Sequence, residues 1–231
     1  MVKVCVLGEE AVSTRASELV VAALRSAIEE TGHARLAIAG GSATAPLASI
    51  RRALGENWEL TWLTWVDERC VGRDDPNSNR GAVYRQDGLD DDDPPGLELP
   101  LWLDGETAVD AAARVEESLR DDFGGALDVA LLGMGPDGHI ASLFPGHPVL
   151  ADSGDDSVAH VTNSPKPPAE RMTLTLPFLK NTSHSILIAM GESKREALAR
   201  LVAGDPALPA SALPNLTILT NINLQDNKAT I

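Results

Sequence analysis

Short apolar stretches alternate with helix-period segments along this 231-residue chain. That alternation restricts it to an α/β architecture with a mostly parallel sheet. Val2–Leu7 reads as a first strand. Ser13–Glu30 reads as a helix, because Leu19, Val20, Ala23, Leu24, Ala27 and Ile28 share one face at the 3.6-residue period, and Gly32 marks its stop. Leu36–Ala39 is a second strand, and a helix from Pro46 to Leu54 follows with proline in its permitted first turn. Thr61–Val66 is a third strand, then a polar loop runs to Asn79; the acidic, proline-rich Asp90–Pro95 breaks any regular element. Leu99–Leu103, Leu127–Leu132, Val158–Thr162, Met172–Leu176, Ile186–Met190 and Leu216–Thr220 are further strands, with helices at Ala108–Phe123 and Ser193–Val202. No internal repeat or linker divides the sequence, so one domain is expected over residues 1–231.

Charge narrows the function classes. The formal net charge is −15 and the isoelectric point about 4.6, which argues against nucleic-acid partners and against docking on anionic membranes. No apolar run approaches the roughly 20 residues of a membrane span. Met1–Leu7 is apolar but short, and Glu9 and Glu10 follow at once, unlike a signal peptide. Cys5 and Cys70 form neither a disulfide framework nor a metal-ligand spacing. A reduced, cytoplasmic enzyme is the expectation, its oligomeric state left open with a monomer as the default.

Four loops at strand ends carry unusual residues, which is where α/β sheets bind ligands. Gly40-Gly41-Ser42-Ala43-Thr44 joins a strand to a helix, as an anion-binding turn or simply a tight connection. It lacks the Gly-Lys-Ser/Thr ending of a Walker loop, and Thr44 stands where a nucleophile elbow needs glycine. Asp67-Glu68-Arg69 follows the third strand, with Asn77-Ser78-Asn79 beyond it; Arg69 offers a planar fork to a phosphate, and Asp67 could orient it or take a sugar hydroxyl. Gly133-Met134-Gly135-Pro136-Asp137-Gly138-His139 superficially matches a dinucleotide fingerprint. Pro145 and Gly146 stop the long helix that fingerprint requires. What remains is a histidine on a glycine-flanked turn, with Asp137 two residues before it. Imidazole, with a pKa of about 6.5, is the usual proton carrier at neutral pH. Lys194 opens a helix after Ile186–Met190, and Arg171 precedes Met172; either could reach an anion, and either could be a surface residue. Asp90–Asp93 lacks calcium-loop spacing, and no pair of the remaining histidines makes a metal site.

In the same order, Gly40-Gly41-Ser42, Asp67-Glu68-Arg69-Cys70-Val71, Ser78-Asn79, the run Gly133–Gly146, Pro165-Lys166-Pro167-Pro168 with Arg171-Met172-Thr173, and Lys194 resemble the pattern of the 6-phosphogluconolactonases. The likeness extends from about residue 10 to about residue 215. It implies a modified Rossmann-like fold shared with glucosamine-6-phosphate deaminases. It also implies hydrolysis of 6-phospho-D-glucono-1,5-lactone to 6-phosphogluconate in the oxidative pentose phosphate pathway, with no metal or organic cofactor. Two departures stand out. Ala43-Thr44 replaces a common Thr-Pro, which leaves open whether Ser42 or Thr44 touches phosphate, and the tail Thr217–Ile231 is unlike the family ending and contributes no site residue.

The expected site follows. His139 is the general base for water, and Asp137 is the partner that fixes its tautomer. The backbone N–H groups of Gly135 and Gly138 are oxyanion donors, and Gly40, Gly41, Ser42, Asp67, Arg69, Asn79, Arg171 and Lys194 hold the phosphosugar. The competing expectations are an amino-sugar phosphate isomerase or deaminase and a non-catalytic phosphosugar-binding domain. The deaminases continue Asp-Gly-His-Ile-Ala with Phe-Asn-Glu-Pro, whereas this chain continues with Ser142-Leu143-Phe144-Pro145, and the intact His139 speaks against a mere sensor.

Overall fold

The computed structural model describes residues 2–86, 88–152 and 154–225. In chain order the elements are β1 (Lys3–Val6), α1 (Glu9–Thr31), β2 (Ala34–Ile38), α2 (Leu47–Leu54), β3 (Thr61–Trp65), β4 (Asp67–Arg69), α3 (Asn79–Arg85), β5 (Leu97–Leu99), α4 (Ala108–Asp121), β6 (Leu127–Gly133), α5 (Val149–Asp152), β7 (Val158–Val161), β8 (Arg171–Leu174), α6 (Leu176–Lys180), β9 (Thr182–Ala189), α7 (Arg195–Val202) and β10 (Leu216–Thr220).

Seven strands form one sheet in the order β1-β10-β9-β6-β2-β3-β5, every pair parallel. Its central strand is strongly apolar: β6 buries Leu127, Val129, Ala130, Leu131 and Leu132, as a strand covered on both faces must. α1 buries Val12, Ala16, Val20, Val21, Leu24 and Ala27 along one stripe. Glu9 and Glu10 sit in its first turn, where the helix dipole favours negative charge, and the Gly32 N–H closes it on Ile28 O at 2.8 Å.

The connections define where a ligand can sit. From β2 the chain winds outward through β3 to β5; from β6 it winds the opposite way through β9 to β10. β2 and β6 are neighbours, so the winding reverses between them and opens a crevice beyond their carboxyl ends. The glycine-rich segments after Ile38 and after Leu132 flank that crevice.

Several expectations need correction. The strands at Val158–Val161 and Arg171–Leu174 leave the main sheet and form a small antiparallel sheet, β4-β8-β7, with Asp67–Arg69. The polar loop predicted after Val66 therefore begins as a strand. The chain crosses between sheets at Val66, whose N–H donates to Ile38 O while its carbonyl accepts from Leu174 N. Helix α3 was not expected at all; Ser78 caps it, with its Oγ accepting from Gly81 N at 2.9 Å. The last helix begins at Arg195, and Glu192–Lys194 is a 3₁₀ turn. Of the predicted tail Thr217–Ile231, residues 226–231 lie outside the described residues. No described helix is long and apolar enough to cross a membrane.

Candidate active site

A cavity of about 260 Å³ opens in the crevice at the strand reversal. The structure brings Gly40, Gly41, Ser42, Asp67, Arg69, Asn79, Gly135, His139, Arg171 and Lys194 together on its wall. Of the predicted set, Asp137 and Gly138 stand behind it. These residues come from the segments that follow β2, β6 and β9, from β4 and β8 and from the start of α3, so residues far apart in sequence meet because the sheet is wound from its middle.

His139 is placed by its own turn. Its Nδ1 lies 2.6 Å from Asp137 Oδ1, which leaves Nε2 as the ring nitrogen without a hydrogen bond among the described residues. The turn is held by Gly135 N–H donating to His139 O at 2.9 Å and Gly138 N–H donating to Gly135 O at 3.0 Å. Those two N–H groups are therefore spent inside the turn and are not the oxyanion donors expected of them. Phe144 packs its ring on the imidazole, centroids 4.5 Å apart. Burial is the main cause that holds the His139 pKa below the ordinary imidazole value; the Lys166 charge acts in the same direction, and Asp137 and Asp67 oppose it. For Asp137, burial pushes upward, but the hydrogen bonds from His139 and Lys166 outweigh it and keep the carboxyl ionised.

Gly135 has a steric reason. A Cβ there would overlap His139 Cε1 and Nδ1. Gly135→Ala should move the ring, and because misplacing a catalytic group by about 1 Å can cost about 10²-fold, the expectation that His139 is the base requires kcat to fall by that order with the fold retained. Steady-state kinetics beside a thermal melt checks this; unchanged kcat would show that the turn can shift without the imidazole following.

The wall opposite is built on buried carboxylates. Asp67 is buried, and its Oδ2 accepts from Ser142 Oγ at 2.6 Å and faces Arg171 Nη1 at 3.7 Å. Asn79 Nδ2 donates to the Asp67 carbonyl at 2.9 Å. The Asn79 side chain in turn fills the space that a Cβ on Gly40 would need, which explains glycine there. Glu68 points the other way and accepts from the N–H groups of Arg69, Asn79 and Arg80, each at 2.7 Å, and from Ser78 Oγ at 3.1 Å. Burial raises its pKa, and those backbone donors oppose the rise. Glu68 thus pins α3 to β4 and sets Asn79 beside Asp67.

The cations differ in how free they are. Arg171 is almost wholly enclosed and donates to the carbonyls of Lys166, Pro167 and Pro168 and to Ser142 Oγ. Arg69 Nη1 donates to Asn77 O at 2.5 Å, while its buried Nε has no partner among the described residues. Lys194 reaches the cavity from the 3₁₀ turn; burial chiefly, and then the Lys166 charge, lower its pKa. On the β2 side, the N–H groups of Gly41 and Ser42 open a 3₁₀ turn and are the kind such a turn leaves without an internal acceptor. Thr44 Oγ1 donates to Gly41 O at 2.7 Å and is buried, so Ser42 is the hydroxyl at the cavity.

Sequence reasoning names Glu68, Ser142 and Lys166 within motifs but gives none of them a role at the site. The side-chain partners that tie them to the site, Ser78, Asp67 and Asp137, lie 10, 75 and 29 positions away, and none belongs to a catalytic spacing. Cys70 is set aside: burial first, then the nearby Glu170, Glu68 and Glu106, push its thiol up to about 12, far from a reactive thiolate.

Comparison with known proteins gives a consistent neighbourhood. The family profile described as "Glucosamine-6-phosphate isomerases/6-phosphogluconolactonase" matches residues 8–219. A 6-phosphogluconolactonase of Caulobacter vibrioides is 36% identical over 206 residues, covering 86% of this chain and 85% of that protein. One of Mycobacterium leprae is 33% identical, covering 93% and 91%. The solved 6-phosphogluconolactonase of Trypanosoma brucei superposes with a TM-score of 0.79 at 22% identity, covering 99% of each chain, and shares the fold.

Proposed function

The chain belongs to the glucosamine-6-phosphate isomerase/6-phosphogluconolactonase family, and from that premise we propose that it hydrolyses 6-phospho-D-glucono-1,5-lactone to 6-phosphogluconate in the oxidative pentose phosphate pathway. One observation carries the reading: an imidazole kept neutral by burial faces a cavity that also presents Arg69 and Lys194. A base and two cations on the wall of one cavity suit a phosphorylated ester.

The chemistry needs no covalent nucleophile, because a lactone is already an activated ester. Nε2 of His139 takes a proton from water, and the hydroxide forms a bond to the lactone carbonyl carbon. The carbon–ring-oxygen bond then breaks, and the imidazolium returns its proton to the departing oxygen. Asp137 holds Nδ1 and stabilises the transient imidazolium. The buried Ser142 Oγ donates to Asp67 rather than to His139, which fits water as the attacking group. Phe144 occupies the place where the deaminases carry an acidic residue, and it walls the imidazole with carbon.

Phosphate binding has to be local, given the net charge of −15. Two unit charges about 4 Å apart gain roughly 4 kcal/mol at an effective dielectric near 20, before desolvation. Arg69, Lys194 and the Gly40–Ser42 turn supply those contacts, and Asp67 and Asn79 face the sugar. A hydrogen bond to a charged group is worth about 1.5–3 kcal/mol, so Arg69→Ala should raise KM by about 10–100-fold with little change in kcat. A fall in kcat at constant KM would move Arg69 from binding to the chemical step.

The reading extends to one lactonase domain over the whole chain, acting in the cytoplasm on a small phosphosugar without nucleic acid or membrane. Two unpaired, half-buried cysteines and the acidic surface support that setting. The test is lactone decay. The substrate is generated in place from glucose 6-phosphate and its dehydrogenase, and its loss is followed with and without the protein at fixed pH. Faster loss supports the reading; no acceleration by folded protein, with ammonia released from glucosamine 6-phosphate instead, overturns it.

A further inference from the structure

Lys166 has no place in the steps above, yet its ammonium stands against the catalytic pair. Nζ lies 3.1 Å from Asp137 Oδ1, the same oxygen that holds His139, and 3.3 Å from His139 Nδ1. Its backbone is fixed: Lys166 N–H donates to Ser164 Oγ at 3.3 Å, and Lys166 O accepts from Ser164 Oγ at 2.9 Å and from Arg171 Nη2 at 3.0 Å. The side chain is half-exposed and reaches the Asp137 side of the ring, outside the residues that line the cavity. It therefore touches the pair and not the substrate pocket.

We propose that Lys166 is a positioning residue that tunes His139 for both halves of the reaction, sharing the Asp137 carboxylate and placing a positive charge beside Nδ1. The proposal rests on the lactonase reading only for its consequence in catalysis. A lone His–Asp pair makes a strong base that is slow to release its proton. A second cation on the same carboxylate weakens the hold of Asp137 on the imidazolium. The ring then stays neutral to lower pH, and once protonated it is a better acid toward the departing ring oxygen. The charges that face His139 are Asp137 from its own turn, Lys166 from the loop before β8 and Asp67 from β4; of these only Lys166 opposes protonation. Because its backbone is anchored independently, changing its side chain should leave the loop in place.

The test compares Lys166→Met, which keeps the length and removes the charge, with Lys166→Arg, which keeps the charge. The His139 imidazole is titrated by NMR in the free protein, with His139→Ala used to assign its signals. The expected result is a His139 midpoint moved to higher pH in Lys166→Met and held near native in Lys166→Arg. With the phosphorylated lactone, the acid limb of kcat/KM should move in the same direction, with KM within about twofold of native. An unmoved midpoint in Lys166→Met, or one that moves equally in Lys166→Arg, overturns the proposal, as does a raised KM with an unmoved pH profile. The NMR titration needs no turnover, so it stands apart from the lactonase assay: failure there with a shifted midpoint would sink the reaction and keep the tuning.

Discussion

His139→Ala should lower kcat for lactone hydrolysis by about 10²–10⁴-fold, the usual contribution of a positioned general acid–base group. KM should change little, because Arg69 and Lys194, the cations proposed to bind phosphate, reach the cavity from other elements. The fold should survive as well. The His139 carbonyl accepts from Gly135 N–H through the backbone, which alanine keeps, and Asp137 retains Lys166 as a partner. The measurement is the rate of enzyme-dependent lactone loss after subtraction of spontaneous opening. Native turnover in the variant would remove the imidazole from the mechanism.

The same residue sets the sign of the pH dependence. Only the neutral ring accepts a proton from water, and the neutral fraction grows as pH rises. Activity should therefore fall on the acid side and level off above the His139 pKa. Burial holds that pKa below the ordinary 6.5, so the acid limb should have its midpoint below 6.5. A midpoint above it would mean that Asp137 dominates over burial and over Lys166.

How far such a site can be read from sequence depends on whether its causes are local. α1 and β6 are legible because periodicity and unbroken apolar runs decide them within a few turns. The His139 turn is legible because glycine, aspartate and histidine lie within seven residues. β7 and β8 are legible as strands but not as members of a second sheet, since their pairing with Asp67–Arg69 depends on where the chain leaves β3. Helix α3 is polar and short, and it takes its cap from Ser78 and its anchor from Glu68, so no pattern of its own announces it. The oxyanion assignment fails for a related reason. Their position after β6 places Gly135 and Gly138 at the site, but the closure of the turn by their N–H groups is a property of the folded chain. Lys166 is visible in sequence as part of a proline-rich motif; its meeting with Asp137 spans 29 positions.

Arg171 tests the distinction between holding a substrate and holding the site. From sequence it is a possible phosphate ligand. In the structure its side chain is 5% exposed beside an Asp67 at 8%, and its donors are spent on three carbonyls and Ser142. Removing one partner of a buried ion pair strands the other charge, at a cost of about 3–5 kcal/mol. Arg171→Met should therefore lower the melting temperature by about 6–20 °C, given about 2–4 °C per kcal/mol for a chain of this size. Its effect on KM should be smaller than that of Arg69→Ala, because the native Arg69 guanidinium has a buried Nε without a partner among the described residues. Thermal denaturation followed by circular dichroism measures the first effect, and lactone kinetics below the melt measures the second. Combining Arg171→Met with Asp67→Asn should restore part of the lost stability, because the second change removes the stranded charge while leaving Ser142 an acceptor. If the single variant melts like the native protein, the pair carries no stability, and Arg171 returns to the set of residues that hold the phosphate.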